Sequence, residues 1–136
     1  MTDTQKITEI MTKISNPVLV EGRNDEKAMR SFGLDEIFTL SGASLYEKAS
    51  EIAERIEKKE ITMMTDFDDE GKRLAGKMRF LLERFGVKVD MKTRLMLMSV
   101  SENKCVEELR GDFYAKAGTV YGKVYDKGLA EGRGLC

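Results

Sequence analysis

The sequence predicts an α/β fold in which a doubly wound, four-stranded parallel sheet is flanked by helices. Short apolar runs suited to strands alternate along the chain with longer stretches of helical periodicity, as in successive βαβ units. Val18-Leu19-Val20 and Ile61-Thr62-Met63-Met64-Thr65 are apolar or β-branched without polar alternation, as expected of strands covered on both faces. Each of these two runs leads directly into an acid, Glu21 after the first and Asp66 after the second.

Taken in order, Ile7, Ile10, Met11 and Ile14 sit at i, i+3, i+4 and i+7 within residues 3–15, which marks one face of a helix. Asn16-Pro17 ends it, because proline pushes the preceding residue out of the α region. After the strand at 18–20 and Glu21-Gly22, Asn24 is expected to N-cap a helix. Asp25 and Glu26 lie in its first turn, Ala28, Met29 and Phe32 on its inner face, and Gly33 beyond its end. Ile37-Phe38-Thr39-Leu40 reads as the next strand. Beyond the loop 41–44, Leu45, Ala49, Ile52, Ala53 and Ile56 form the apolar stripe of a helix whose other face is charged and solvated.

The central strand at 61–65 is followed by Leu74, Met78, Leu81, Leu82 and Phe85 at helical spacing, closed by Gly86. Val87, Val89 and Met91 alternate as a fourth strand. Residues 92–99 suit either a buried strand or a short helix, and helix is preferred. Their methionines read as core filler. Cys105 to Leu109 again reads as helical. From Gly111 onward lie half of the glycines and three of the four tyrosines, a shift that sets this tail apart. A short helix there is suggested by Val120 with Val124 and Tyr121 with Tyr125, and weakened by Gly122 and Gly128. Docking on the core, self-association and mobility all stay open for it. The expected division is an N-terminal helix at 1–15, one domain at 16–100, and a C-terminal helix and Gly-rich tail at 101–136 that packs on or extends that domain.

With 136 residues the chain is long enough for one buried core. A net charge of −1 does not advertise nucleic acid, so any such contact needs a local basic face. No apolar run is long enough to span a bilayer and no signal-peptide pattern is present, so the expected location is the cytoplasm, with no membrane partner. Cys105 and Cys136 are too few for a disulfide framework or a zinc ribbon. The chain has no histidine, which removes imidazole bases and most transition-metal sites. Carboxylates, basic residues and a hard cation are left to do any chemistry.

The densest acidic stretch is Asp66-Phe67-Asp68-Asp69-Glu70. Two carboxylates about 4 Å apart repel by roughly 4 kcal/mol at an effective dielectric near 20, a cost that a divalent cation would offset. Mg²⁺ takes hard oxygen ligands, commonly one or two carboxylates with waters and phosphate completing the shell. Asp66 and Asp68, alternating on an extended strand, would share one side while Phe67 takes the other. The alternative is a solvated acidic turn that caps the next helix. In a 2-1-3-4 strand order, Glu21 would converge with Asp66 and Asp68 beyond the carboxyl ends of the strands, where doubly wound sheets bind ligands. Gly71 to Lys77 formally fits G-x-x-x-x-G-K. Met78 stands where a Ser or Thr hydroxyl should hold Mg²⁺, however, and the preceding acids would repel triphosphate, so the P-loop reading is rejected.

Val18-Leu19-Val20-Glu21-Gly22-Arg23-Asn24-Asp25 followed by Thr65-Asp66-Phe67-Asp68-Asp69-Glu70-Gly71 resembles the Toprim domain, a Rossmann-like α/β fold. Type IA and type II topoisomerases, bacterial-type primases and several nucleases and recombination mediators share it. The similarity covers roughly residues 16 to 100, and by its length the chain resembles the small stand-alone Toprim proteins. The resemblance implies that Glu21 is a general acid/base or shared ligand and that Asp66 and Asp68 hold Mg²⁺, with Mn²⁺ as an alternative ion. Asp25 and Glu70 would be accessory acids. It also accounts for the missing histidine, since phosphoryl transfer there relies on positioning and metal.

Arg23, Lys27, Lys72 and Arg73 lie beside the acids in sequence, as phosphate grips or as ordinary surface ion pairs. Lys88, Lys92, Arg94 and Lys104 form a looser second basic set that could track a nucleic-acid backbone. No winged helix, zinc module or helicase region accompanies the motifs, which argues against topoisomerase or primase activity, and nothing near Tyr46, Tyr114, Tyr121 or Tyr125 suggests a tyrosine nucleophile. Two functions remain. One is a Mg²⁺-dependent nuclease or related phosphotransferase acting on RNA or DNA. The other is a non-catalytic, metal-holding nucleic-acid-binding or adaptor module, working with protein partners or as a homodimer.

Overall fold

Apolar residues recurring with a period of two, and then of 3.6, place the elements close to where the sequence puts them. A computed structural model describes residues 1–101 and 105–109 of the protein. The strands are β1 (Val18–Val20), β2 (Ile37–Thr39), β3 (Glu60–Met63) and β4 (Lys88–Asp90), and the helices are α1 (Asp3–Thr12), α2 (Arg23–Arg30), α3 (Leu45–Arg55), α4 (Asp69–Arg84) and α5 (Lys92–Val100), followed by a 3₁₀ turn at Val106–Glu108. The sheet runs β2-β1-β3-β4, and every pairing is parallel, with Leu19 opposite Phe38 on one side and Met63 on the other. The 2-1-3-4 order under which Glu21 would approach Asp66 is therefore the observed one.

Alternation across the pleat gives the sheet two covered faces. Leu19, Ile61, Met63 and Val89 pack with Ala49, Ile52, Ala75, Met78 and Leu82 of α3 and α4. Val18 and Val20 face the other way, into a cluster with Ile7 and Met11 of α1, Ala28 and Met29 of α2, Leu97 of α5, and Val106 and Leu109. α1 packs on α5, α3 on α4, and the 3₁₀ turn on α2. The ambiguous stretch 92–99 is helical, as preferred. Its buried Leu97 joins the second cluster, while Leu95, Met96 and Met98 are exposed.

Capping sets most helix starts. Thr2 with Gln5 and Ser44 with Glu47 form reciprocal capping boxes on α1 and α3. Asn24 does not cap α2: Gly22 holds the cap position, so the helix begins two residues earlier than expected. The reason is Asp25, whose carboxylate accepts the Gly22 N–H at 3.0 Å and draws residues 22–25 into the first turn. Gly33 and Gly86 follow α2 and α4 with φ of 92° and 82°, values that favour glycine.

β3 stops at Met63, so Met64 through Asp68 continue beyond the ladder as a connection into α4. Asp66 and Asp68 accordingly are not neighbours on a strand, and the expected alternation does not place them. Phe67 nevertheless points into the α1/α2/α5 cluster. Among the described residues no helix is long and apolar enough to cross a membrane. Lys104 and the tail from Gly111, with its expected helix and with Tyr114, Tyr121 and Tyr125, lie outside the described residues.

Candidate functional site

β1 and β3 are adjacent and parallel, so the residues that leave their carboxyl ends emerge side by side. Glu21 follows β1 directly, and its Oε2 accepts the backbone N–H of Asp66 at 2.9 Å. One hydrogen bond thus ties together the two acidic strand ends read from the sequence. Asp68 caps α4, its Oδ1 accepting the Gly71 N–H at 2.8 Å. This is the helix-capping role weighed as the alternative to metal binding. The cap uses one oxygen and leaves the other available to a ligand.

Gly71 is where the connection turns back on itself. A Cβ built there would lie 1.9 Å from the Asp66 carbonyl oxygen, so no larger residue fits without moving backbone. The Thr65 hydroxyl donates to the Gly71 carbonyl at 2.7 Å. Arg94, from α5, closes the other side. Its Nε donates to the Thr65 carbonyl at 3.0 Å and its Nη2 to the Asp66 carbonyl at 2.5 Å. The guanidinium also lies 5.9 Å from the centre of the Phe67 ring, within cation–π range.

The acids differ in exposure. Asp66 is 5% and Asp25 6% exposed, whereas Glu21 and Asp68 are half-buried. Burial pushes the Asp66 carboxyl up to about 7, and the charges of Asp25, Glu21 and Asp68 push the same way. The opposing influence is the Val106 N–H, which donates to Asp66 Oδ1 at 2.7 Å. Asp25 is raised to about 6, first by burial and then by Glu107 and Glu21, against the Gly22 hydrogen bond. Four carboxylates therefore share one electrostatic neighbourhood.

That neighbourhood fits a hard cation by its chemistry. The donors are all carboxylate oxygens, their mutual repulsion is what a cation relieves, and the hydrogen bonds described engage one oxygen of each. Among the described residues no three acids are drawn together as a finished metal cage. A Mg²⁺ held there would take the one or two carboxylates usual for it and complete its shell with water and substrate oxygens.

The accessory residues divide. Asp25 joins the cluster. Glu70 pairs with Arg73 on the exposed surface of α4, which fulfils the ion-pair reading for these two. Arg23, Lys27 and Lys72 are exposed and make no ion pair among the described residues. Arg94 departs from expectation: at 3% exposure it cannot track a nucleic-acid backbone with Lys88 and Lys92. Its sequence signal was its position three residues before Leu97, on the helix face that turns inward. The parts played by Val106 and by Gly71 as a packing constraint were also missed. Only a glycine within the first helical turn hinted at close backbone approach.

The Toprim domain family matches residues 16–92. The UPF0292 protein of Pyrococcus furiosus is 35% identical over 108 residues, covering 77% of this chain and 79% of the relative. The UPF0292 protein of Thermococcus gammatolerans is 38% identical over 109 residues, covering 78% and 80%. A solved structure of an Aquifex aeolicus protein is similar at a TM-score of 0.62 and 27% identity, covering 78% of this chain and 94% of that one.

Proposed function

From the premise that the chain belongs to the Toprim family, a superfamily of topoisomerases, primases and nucleases, we propose that it is a Mg²⁺-dependent nuclease or related phosphotransferase acting on RNA or DNA phosphodiesters in the cytoplasm. The observation that carries this reading is the meeting of Glu21 with Asp66 through the 2.9 Å bond at the shared edge of β1 and β3. In it, Asp66 and Asp68 hold the ion and Glu21 is the general acid/base or a shared ligand. Mg²⁺ or Mn²⁺, when bound, supplies charge neutralisation on the phosphoryl oxygens.

The chain's own residues do the rest. Asp25, buried beside Glu21, adds negative charge that favours the cation. Arg23 at the start of α2, Lys27 in its last turn and Lys72 near the start of α4 are exposed cations suited to phosphate contact. Glu70 and Arg73 remain accessory, their charges already spent on each other. Tyr46 is 61% exposed and sits edge-on to Phe85, an ordinary surface packing role that gives no support to a tyrosine nucleophile.

Incubation with labelled RNA and DNA oligonucleotides in Mg²⁺ or Mn²⁺ tests the proposal. Cleavage is expected in the wild type and is lost in Glu21→Gln and Asp66→Asn; full cleavage by both variants overturns it. The near-complete burial of Asp66 under the Val106 N–H favours a second reading. In that reading the site holds metal without turnover and the protein serves as an adaptor with nucleic acid, protein partners or a second copy of itself. A pull-down recovering the same nucleic acid or partner with wild type and Asp66→Asn supports it. Loss of every interaction in the folded variant counts against it.

A further inference from the structure

We propose that Arg94 is a positioning residue of the acidic site, holding the Thr65–Asp66 backbone from inside the molecule so that Asp66 meets Glu21. Arginine is almost never fully buried without a charged partner. Among the described residues Arg94 forms no ion pair at contact distance, and it is nevertheless 3% exposed. Its hydrogen bonds go to two successive carbonyls, those of Thr65 and Asp66. A guanidinium fork reaches two acceptors at fixed spacing, which a lysine ammonium cannot do in the same geometry.

The carbonyl of Asp66 is thereby confined between Arg94 and the α-carbon of Gly71, where a single added methyl would collide at 1.9 Å. The grip on the Thr65 carbonyl fixes the plane of the Thr65–Asp66 peptide, whose N–H goes to Glu21, and the grip on the Asp66 carbonyl fixes the next plane, so the Asp66 side chain between them is held toward the acidic neighbourhood. The restraint comes from a residue of α5 that lies beyond the residues 16–92 matched by the family. The consequence for metal rests on reading the acids as a metal site; the backbone restraint does not.

A role through charge alone predicts the opposite sign. Were the guanidinium only a counter-charge for Glu21, Asp66 and Asp68, removing it would strengthen cation binding and a lysine would replace it fully. The full-length Arg94→Lys and Arg94→Met proteins separate the two, with Lys carrying the test if Met does not fold. In metal-free protein, the Asp66 amide is expected to exchange with solvent about tenfold faster or more in both variants, while the Met64 amide, bonded to the Leu19 carbonyl, stays as protected as in wild type. An unchanged Asp66 amide overturns the proposal. By calorimetry, Mn²⁺ affinity is expected to fall in the order wild type, Lys, Met, by about tenfold or more at the far end. Equal affinity for Lys and tighter binding for Met also overturn it. A wild type that takes up no Mn²⁺ removes the metal reading, and the amide measurement still decides Arg94.

Discussion

Asp66 carries the sharpest residue-scale consequences. Its carboxyl rises from an ordinary 3.8 to about 7 on folding, so between these values the folded protein holds a proton that the unfolded chain has released. Stability from this group is fully present below about pH 4 and is lost as pH rises through about 7. The expected loss in metal-free protein is on the order of 2 to 4 kcal/mol. Asp90, where burial pushes up but hydrogen bonds from Thr93, Lys92 and Thr62 together hold the carboxyl low, works in the reverse direction, so the prediction concerns a difference. Urea unfolding at about pH 4.5 and about pH 7.5 should show Asp66→Asn gaining on wild type at the higher pH. Parallel wild-type and variant curves would refute the assignment of this proton to Asp66.

Gly71 gives a second test at the same scale, because two physical effects oppose each other there. Alanine is the better helix former by about 1 kcal/mol, yet its Cβ would collide with backbone at 1.9 Å, and the collision wins. Gly71→Ala should lose about 3 kcal/mol in denaturant unfolding. The exposed Gly76, also in α4, has nothing within 4 Å of the place an added methyl would take, and should gain from the same change. Stabilisation at both positions would contradict the packing described.

At the scale of the element, α4 is started by an acid that caps it and, in the proposed site, also holds the ion. Asp68 accepts the Gly71 N–H, and a lost N-cap costs about 1 kcal/mol. Asn caps as well as Asp but carries no charge. Asp68→Asn is therefore expected to keep the stability of the wild type within about 0.5 kcal/mol while weakening Mn²⁺ binding, and Asp68→Ala to lose on both counts. Calorimetry beside urea unfolding reads the two jobs separately; undiminished Mn²⁺ binding by Asp68→Asn would leave only the cap. Helices were legible because an apolar period such as Leu74, Met78, Leu81, Leu82 and Phe85 spans several turns. Ends were less so. The cap of α2 fell on Gly22 because a side chain three residues on, Asp25, supplied the hydrogen bond, a choice between neighbouring polar residues that periodicity does not record.

For the whole molecule, ligand linkage turns the site into a stability measurement. A cation bound only by the folded state at about 100 times its Kd stabilises by about 2.7 kcal/mol. Thermal unfolding with and without Mn²⁺ should show this shift in wild type and not in Asp66→Asn. In the proposed site proton and cation compete for the Asp66 carboxyl, so the shift should shrink as pH falls through about 7. A shift of equal size in both proteins would place the ion elsewhere.

The sequence by itself determined the strand and helix alternation and the acids at the two strand ends, because each is written in local pattern: apolar period, turn residues, and which residue follows a buried run. That β1 lies beside β3 is a pairing of separated segments, which local pattern does not record. Only the tertiary structure decided what those acids touch. That Arg94 turns inward to grip the Thr65 and Asp66 carbonyls, that Val106 lays its N–H on Asp66, and that Gly71 must lack a side chain all depend on segments far apart in the chain arriving at one place. Hydrogen bonds and close packing act over a few ångströms, and only the fold brings such partners within that range.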